Sequence, residues 1–523
     1  MTLTRRHFAS LLAAAPAALA QPRPRPNFLV IMADDMGFSD IGCYGGEVAT
    51  PNLDRLAQRG VRFTQFYNAA RCCPTRAALL TGLYPHQAGI GHMVNDRGIP
   101  AYQGYLNHHC QTMAESLKPA GYSVMMSGKW HVGENRPHWP LDRGFDQYFG
   151  LISGASNFFR LDPGRKMALN NEPYTPPKEG FYMTNAFTDH ASRMVREAPK
   201  DKPLALYLPY TAPHWPLHAL PQDIEKYRGK YMKGWDQLRA ERYERLTAAG
   251  LIDKRWPLSP RDPEVPAWNS LPQKEREEWD LRMAVYAAMI DSMDQGIGRV
   301  LNTLQQTGRL DNTLVLFLAD NGGCHEGTNI GGGLEKAAKS PVPGPANSFT
   351  SYRRPWANAS NTPFRMFKSW VHEGGISSPL IAAWGNQIAN PGSLYHDPAH
   401  VIDIVPTMLD LAGATYPSQR NGNPLTPLAG RSFAPALRGQ PLRARAVTGW
   451  EHQGHRALRQ GALKIVAKHN QPWEMYDMAE DRTEINNLAQ KDPDRLRGMV
   501  KMYEHWARQC GVEPWDKVNP PKP

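Results

Sequence analysis

The sequence predicts an α/β fold: a large domain whose mostly parallel sheet is flanked by helices, then a small C-terminal α+β domain with an antiparallel sheet. Three observations carry that prediction. Two continuous apolar runs, Asn27–Ala33 and Thr313–Ala319, each end in an acidic residue, as strands buried on both faces of a parallel sheet do. Between them strand-like and helix-like segments alternate, which is the pattern of crossover connections. Beyond residue 430 the pattern changes to short strands at hairpin spacing and a closing helix.

In chain order, Asn27–Ala33 is the first strand and carries Asp34-Asp35 at its carboxyl end. Thr50 caps a helix that has Pro51 in its first turn and Gly60 as its stop. A second helix is expected over 112–120, with strands over 122–127 and 204–208. The 220–280 segment, rich in charge, Trp and Pro and with helical pieces near 235–249 and 272–279, reads as a surface insertion. A long amphipathic helix follows over 281–304, then the strand Thr313–Ala319 with Asp320-Asn321 behind it. Residues 322–361 show no periodicity and read as a long loop. The last part is expected as strands over 447–450, 461–467 and 473–477 and a helix over 492–509. The domains are therefore an export signal at 1–20, a large domain at 21–430 that would carry any active site and a small domain at 431–523, with no internal repeats. Ligands of parallel sheets bind beyond the strands' carboxyl ends, where Asp34, Asp35 and Asp320 would gather.

A chain of 523 residues has ample material for a core, and its Gly and Pro content is loop-rich without reaching low-complexity levels. Collagen, coiled coil and wholesale disorder are excluded. The apolar stretch from Phe8 to Ala20 is too short to span a bilayer, and no other window lacks charge for the roughly 20 residues required, so no stable membrane insertion is expected. Arg5-Arg6 before that stretch and Ala18-Leu19-Ala20 after it read as a cleavable signal resembling the twin-arginine type. That implies the twin-arginine export machinery as a partner and the bacterial periplasm or the exterior as the destination. The net charge is +11, with Arg5, Arg6, Arg23 and Arg25 close to the start. Without a Lys/Arg run or a stacking motif this argues against nucleic acid and suits an anionic substrate. The six cysteines are scattered, apart from adjacent Cys72-Cys73, and form no disulfide framework.

Asp34, Asp35, Asp320 and Asn321 offer oxygen only, a set that suits a hard cation, Ca²⁺ before Mg²⁺. Singly, Asp-Asp after a strand reads equally as a helix cap and Asp-Asn-Gly as a turn; together at strand ends they read as a metal site. The sharpest local signal is Cys72-Cys73-Pro74-Thr75-Arg76, followed by Ala77-Ala78-Leu79-Leu80-Thr81-Gly82. Cys72 and Arg76, four apart, share a helix face if Pro74 lies in the first turn. Lys129 and His131, two apart after a strand, point to one side if the chain stays extended. With His214 and Lys368 they make a cationic ring for a tetrahedral anion.

C-x-P-x-R followed by A-x-L-L-T-G resembles the signature of the type I sulfatases, within the alkaline phosphatase superfamily. Asp34-Asp35, Gly128-Lys129-Trp130-His131-x-Gly133, Ala212-Pro213-His214, Asp320-Asn321-Gly322 and Lys368 ahead of Glu373-Gly374-Gly375 resemble family motifs in family order. Trp450-Glu451-His452-x-Gly454-x-Arg456-Ala457 is similar to a segment of bacterial arylsulfatase-like members. Thr75 departs from the commoner Ser. The resemblance implies that Cys72, which has Pro two places on and Arg four places on, is oxidised to formylglycine by the formylglycine-generating enzyme. It then joins Asp34, Asp35, Asp320 and Asn321 around Ca²⁺.

The resemblance also implies roles. One hydroxyl of the hydrated aldehyde attacks sulfur, and deprotonation of the other expels sulfate by C–O cleavage. Asp320 would be ligand and base, His214 the acid for the leaving alcohol and His131 the trigger of expulsion. Lys129 and Lys368 would hold sulfate oxygens, and Arg76 would stabilise the charged diol. The implied substrate is a sulfate ester of a small molecule or a saccharide. Trp450, His452, His455 and the aromatic residues of the insertion are expected around the outer pocket. The competing readings are a phosphonate monoester or phosphodiester hydrolase, a non-catalytic binder of sulfated glycan, and a thiol hydrolase.

Overall fold

Alternation along Asn27–Ala33 sends side chains into two cores, which is why the run is continuously apolar. In the computed structural model, which describes residues 25–327 and 340–520, Leu29, Ile31 and Ala33 pack against helices Pro51–Arg59, Met183–Glu197 and Gln273–Gln306. Phe28, Val30 and Met32 face helices Cys72–Thr81, Met113–Leu117 and Ile404–Ala412 on the other side. The expected export signal lies outside the described residues.

Five central strands run parallel in the spatial order Thr313–Ala319, Asn27–Ala33, Leu204–Pro209, Ser123–Ser127, Gln147–Leu151. Ser377–Ala383 lies beside Thr313–Ala319 and runs against both it and its other neighbour, Val61–Tyr67. A separate four-stranded antiparallel sheet, Thr448–His452, His455–Gln460, Leu463–Ala467 and Glu474–Asp477, is backed by helix Pro493–Cys510. Leu458, Ile465, Met499 and Trp506 from this unit join the core of the main sheet's second face. No helix among the described residues is long and apolar enough to cross a membrane, and all six cysteines are unpaired.

Several local expectations are corrected. The 220–280 segment is not a surface appendage: Trp235, Leu238, Leu246 and Trp268 belong to the main core, with Trp235 edge-on to Trp356 at 5.4 Å. Some of its charges are buried with it: Arg242 is fully enclosed and pairs with Asp40 at 2.8 Å and Glu47 at 2.9 Å. The two helical pieces expected over 272–304 are one helix, Gln273–Gln306, because Asp280 at the join accepts hydrogen bonds from the Gly229 and Tyr231 amides instead of ending the helix. Within the supposed loop after Asn321, Arg353–Ser360 is helical and buries Trp356, although the stretch lacks an apolar period; residues 328–339 lie outside the description. The C-terminal sheet has a fourth strand, His455–Gln460, whose charged residues hid its alternation.

Candidate active site

Every chemically suggestive segment leaves the main sheet at one edge. Ala33 and Ala319 are register partners, so Asp34 and Asp320 follow side by side. Ser127, Pro209 and Tyr67 end parallel strands at the same edge and lead to Lys129 and His131, to His214, and to Arg71-Cys72. Because Ser377–Ala383 runs the opposite way, its entrance lies at this edge, which is why Lys368 and Glu373 precede their strand rather than follow it. Two glycines permit the crowding. A Cβ on Gly128 would sit 2.1 Å from the Pro209 carbonyl oxygen, and one on Gly322 1.8 Å from that of Gly374. Asp35, Ala70, His131, Met366 and Ser369 all have positive φ, a backbone cost concentrated around the site.

The carboxylates and cations interlock. Lys129 Nζ donates to Asp34 Oδ2 at 2.6 Å, and Lys368 Nζ to Asp35 Oδ2 at 2.8 Å. Arg76, fully buried, donates to Asp320 Oδ2 at 2.8 Å and to the Lys129 carbonyl at 3.0 Å. Asn321 Nδ2 donates to Asp35 Oδ1 at 2.8 Å, and the Asp35 amide to Asp320 Oδ1 at 3.1 Å. His214 Nε2 stands 3.3 Å from Asp35 Oδ2 and 3.4 Å from Lys368 Nζ, while its Nδ1 bonds the Trp215 carbonyl. Asp34, Asp35 and His214 bring ligand atoms within 4.8 Å of one another, and Cys72, Cys73 and His131 do the same. Asp34 Oδ1 and Asn321 Oδ1 are buried acceptors with no protein donor. Such atoms cost about 1–3 kcal/mol each unless something satisfies them, and a cation fits that need.

The fields follow from this packing. Burial alone would raise the Asp34 carboxyl, but Lys129, His214 and Arg76 hold it well below the carboxylate range. Asp35 is lowered against its burial by His214 and Lys368. Asp320 is pushed well up by burial and then by Asp34, against Arg76; three carboxyls share this pocket and one of them resists ionising. The Cys72 thiol is held well below the usual range, first by its hydrogen bond with Cys73 and, against burial, by Lys129 and His131. Cys73 is driven the other way by burial and by Cys72. Burial lowers both His131 and His214.

Cys72, Arg76, Lys129, His131, His214, Lys368, Asp34, Asp35, Asp320 and Asn321 are thus all in one buried cluster. Lys129 and His131 reach it differently from the extended geometry expected, since the chain turns left-handed at His131 (φ 54°). Of the residues expected around the outer pocket, Trp450 and the tryptophans of the insertion are packed into cores instead. Trp450 is buried, with its indole N–H on the Asn68 carbonyl at 2.9 Å and its ring against Tyr67. His452 is buried against His92, and His455 lies against Trp370. The tryptophans of 220–280 fill the core. Sequence reasoning missed Arg71, which bonds Glu326 and Ser369, and Glu326, whose carboxylate lies 3.9 Å from Lys368 Nζ. Both sit outside any motif. Adjacency to Cys72 was the sole available hint for Arg71, and the Gly-rich surroundings of Glu326 gave none.

An α/β sheet that gathers acidic strand ends, lysines and histidines around a cysteine at a helix start defines a hydrolase of anionic esters. Residues 26–414 match the family model described as Sulfatase, and residues 364–505 that described as N-sulphoglucosamine sulphohydrolase, C-terminal. The chain belongs to the sulfatase family, as a type I member and a sulfuric ester hydrolase. It is 36% identical over 526 residues to an uncharacterized sulfatase of Schizosaccharomyces pombe, covering 93% of this chain and 94% of that one. It is 35% identical over 443 residues to an arylsulfatase of Klebsiella aerogenes, covering 81% and 94%. The solved structure of Ps i-CgsB in complex with k-i-k-neocarrahexaose is similar with a TM-score of 0.68 at 25% identity, covering 95% of this chain and 99% of that one.

Proposed function

We propose that this sulfatase hydrolyses sulfate monoesters through a formylglycine made from Cys72, beside a Ca²⁺ held by Asp34, Asp35, Asp320 and Asn321, and that its natural substrates are sulfated saccharides. The observation that carries the reading is the pair of donorless buried acceptors, Asp34 Oδ1 and Asn321 Oδ1, within an all-oxygen set next to Cys72. Such a set suits a hard cation, and Ca²⁺ accepts several protein oxygens without the strict octahedron that Mg²⁺ demands. Together the aldehyde and the ion supply a nucleophilic oxygen and charge neutralisation for the transferred sulfuryl group.

The remaining work falls to the chain. Lys129 and Lys368 bind sulfate oxygens with their ammonium groups. The Trp215 carbonyl fixes a proton on His214 Nδ1, so Nε2, 3.3 Å from the Asp35 carboxylate that favours the charged ring, is the atom that takes up a second proton and hands it to the leaving alcohol. His131 Nε2, beside Cys72 and Cys73, takes a proton when sulfate departs. Arg76 holds Asp320 and the Lys129 carbonyl in place. The carbohydrate reading is supported by the hexaose bound to the similar Ps i-CgsB, with aryl sulfates as surrogates. Maturation by the formylglycine-generating enzyme and export by the twin-arginine machinery to the periplasm or exterior complete the proposal.

The test is the mass of the tryptic peptide from Cys72 to Arg76, from protein made alongside the maturation enzyme, followed by turnover of sulfate and phosphonate esters. An aldehyde or its hydrate at Cys72 with preference for sulfate is expected. An unmodified thiol with maturation active on a control protein would overturn the reading, and a preference for phosphonate would reassign the substrate.

A further inference from the structure

Cys73 takes no part in the chemistry above, yet it is completely buried and surrounded by soft ligands. Its Sγ lies 3.3 Å from His131 Nε2 and 3.7 Å from Met93 Sδ. Cys72 Sγ, Cys73 Sγ and His131 Nε2 all fall within 4.8 Å of one another. A tetrahedral ion bound at about 2.0–2.3 Å to sulfur and nitrogen has ligand-to-ligand edges of roughly 3.3–3.8 Å. The two separations around Cys73 are already there, so an ion enters with small side-chain adjustments. His131 and Cys72 keep 5% and 2% of their surface exposed, which makes them the side from which an ion arrives.

We propose that the unconverted chain carries a second metal site, in which Cys72, Cys73, His131 and Met93 bind a soft d¹⁰ cation, Cu⁺ in preference to Zn²⁺. The ligand chemistry separates it from the carboxylate cluster. Two thiolates, an imidazole and a thioether select soft ions, whereas Asp34, Asp35, Asp320 and Asn321 select hard ones. The thioether of Met93 favours Cu⁺ over Zn²⁺. On coordination each thiol releases its proton to solvent and no electrons move. Such an ion occupies the Cys72 sulfur and the His131 ring, so soft-metal binding and conversion of Cys72 exclude each other. That consequence, unlike the site itself, rests on the function proposed above.

The experiment uses the full chain made in a host without the maturation enzyme, where Cys72 keeps its thiol. Under anaerobic conditions Cu⁺ is titrated against a chromogenic Cu⁺ chelator, and Zn²⁺ in parallel. One tight equivalent of Cu⁺ is expected, with affinity falling at least 100-fold in Cys73→Ser. In Met93→Leu it should fall about tenfold for Cu⁺ with little change for Zn²⁺. In the wild-type chain Cu⁺ should also protect the Cys72–Arg76 peptide from iodoacetamide while leaving Cys43 alkylation unchanged, a readout that stands even if Cys73→Ser does not fold. Equal affinity in Cys73→Ser, or no protection of that peptide, overturns the proposal. None of these measurements involves an aldehyde, so failure of the metal site and failure of the conversion reading are told apart.

Discussion

Arg482→Met should destabilise the protein by about 3–5 kcal/mol, the usual loss when one partner of a buried ion pair is removed. Arg482 is fully buried, and donates to Glu373 Oε2 at 2.9 Å, the Thr64 carbonyl at 2.6 Å and Ser377 Oγ at 2.7 Å. Glu373 keeps Lys464 at 2.8 Å and the Tyr67 hydroxyl at 3.0 Å, so the variant leaves it partly compensated while two acceptors lose their donor. The Glu373 carboxyl reports the same clamp from its own side. Burial alone would raise the Glu373 carboxyl, yet Lys464 and Arg482 hold it at about 2 against an ordinary 4.5. At about 1.36 kcal/mol per pKa unit the whole clamp, Lys464 first and Arg482 after it, stabilises by about 3 kcal/mol, of which Arg482 supplies a part. A depressed carboxylate stabilises fully above its unfolded pKa, so the contribution is present above about pH 4.5 and is lost as pH falls toward 2. Urea denaturation of both proteins at pH 7 and pH 3, followed by tryptophan fluorescence, measures the effect. The gap between them should narrow at pH 3. A cost below about 1 kcal/mol at pH 7, or a gap that widens on acidification, refutes the reasoning. The clamp bears on function because the backbone bonds from Asn68 to Ile376 and from Ser369 to Ala70 tie the Cys72 segment to the Lys368 segment beside it.

Three further outcomes follow from the site. His214→Ala should lose about 10²–10⁴ in rate on a sugar sulfate and about tenfold or less on a nitrophenyl sulfate, whose leaving group needs no proton; equal losses on both would remove its role as acid. Chelation of divalent ions should abolish turnover, and Ca²⁺ at a hundredfold excess over its Kd should raise stability by about 2.7 kcal/mol, read as a shift in thermal midpoint, with Mg²⁺ less effective; no shift would leave the donorless oxygens of Asp34 and Asn321 unexplained. Gly128→Ala should cost about 2–4 kcal/mol and lower kcat, because its Cβ meets the Pro209 carbonyl next to Lys129; denaturation and kinetics unchanged from wild type would contradict the close approach.

The fold was legible where burial is two-sided. Asn27–Ala33 and Thr313–Ala319 are apolar throughout because both faces are covered, and that signal needs no partner to be read. It failed where polar residues pack through their hydrocarbon parts or where pairing supplies the order. His455–Gln460 reads as charged loop and yet pairs with strands on both sides. Trp235 and Trp268 read as surface features since nothing local reveals that Trp356, about a hundred residues away, completes their cluster.

The candidate site was legible as a set of residues and illegible as a geometry, for one physical reason. Residue type and order advertise chemistry, but the direction of a side chain is set by backbone turns that the pattern does not encode. His131 and Asp35 both adopt positive φ without being glycine, and no spacing rule anticipates either. Charge balance was equally hidden. Lys129, Lys368 and Arg76 suggest an anion-binding ring, and here each lies on a carboxylate, Asp34, Asp35 and Asp320 respectively. Each of the three cations is held by a carboxyl group in a buried cluster, so the ring can turn toward a sulfate only when something else satisfies those carboxyls. A divalent ion does that, and on this reasoning metal binding and anion binding in this site are coupled: sulfate affinity should fall with chelation even in a variant unable to turn over substrate, such as Cys72→Ala. Calorimetric titration of that variant with sulfate, with and without Ca²⁺, gives the coupling directly, and equal affinities in the two would show that the lysines are free to bind anions while still paired.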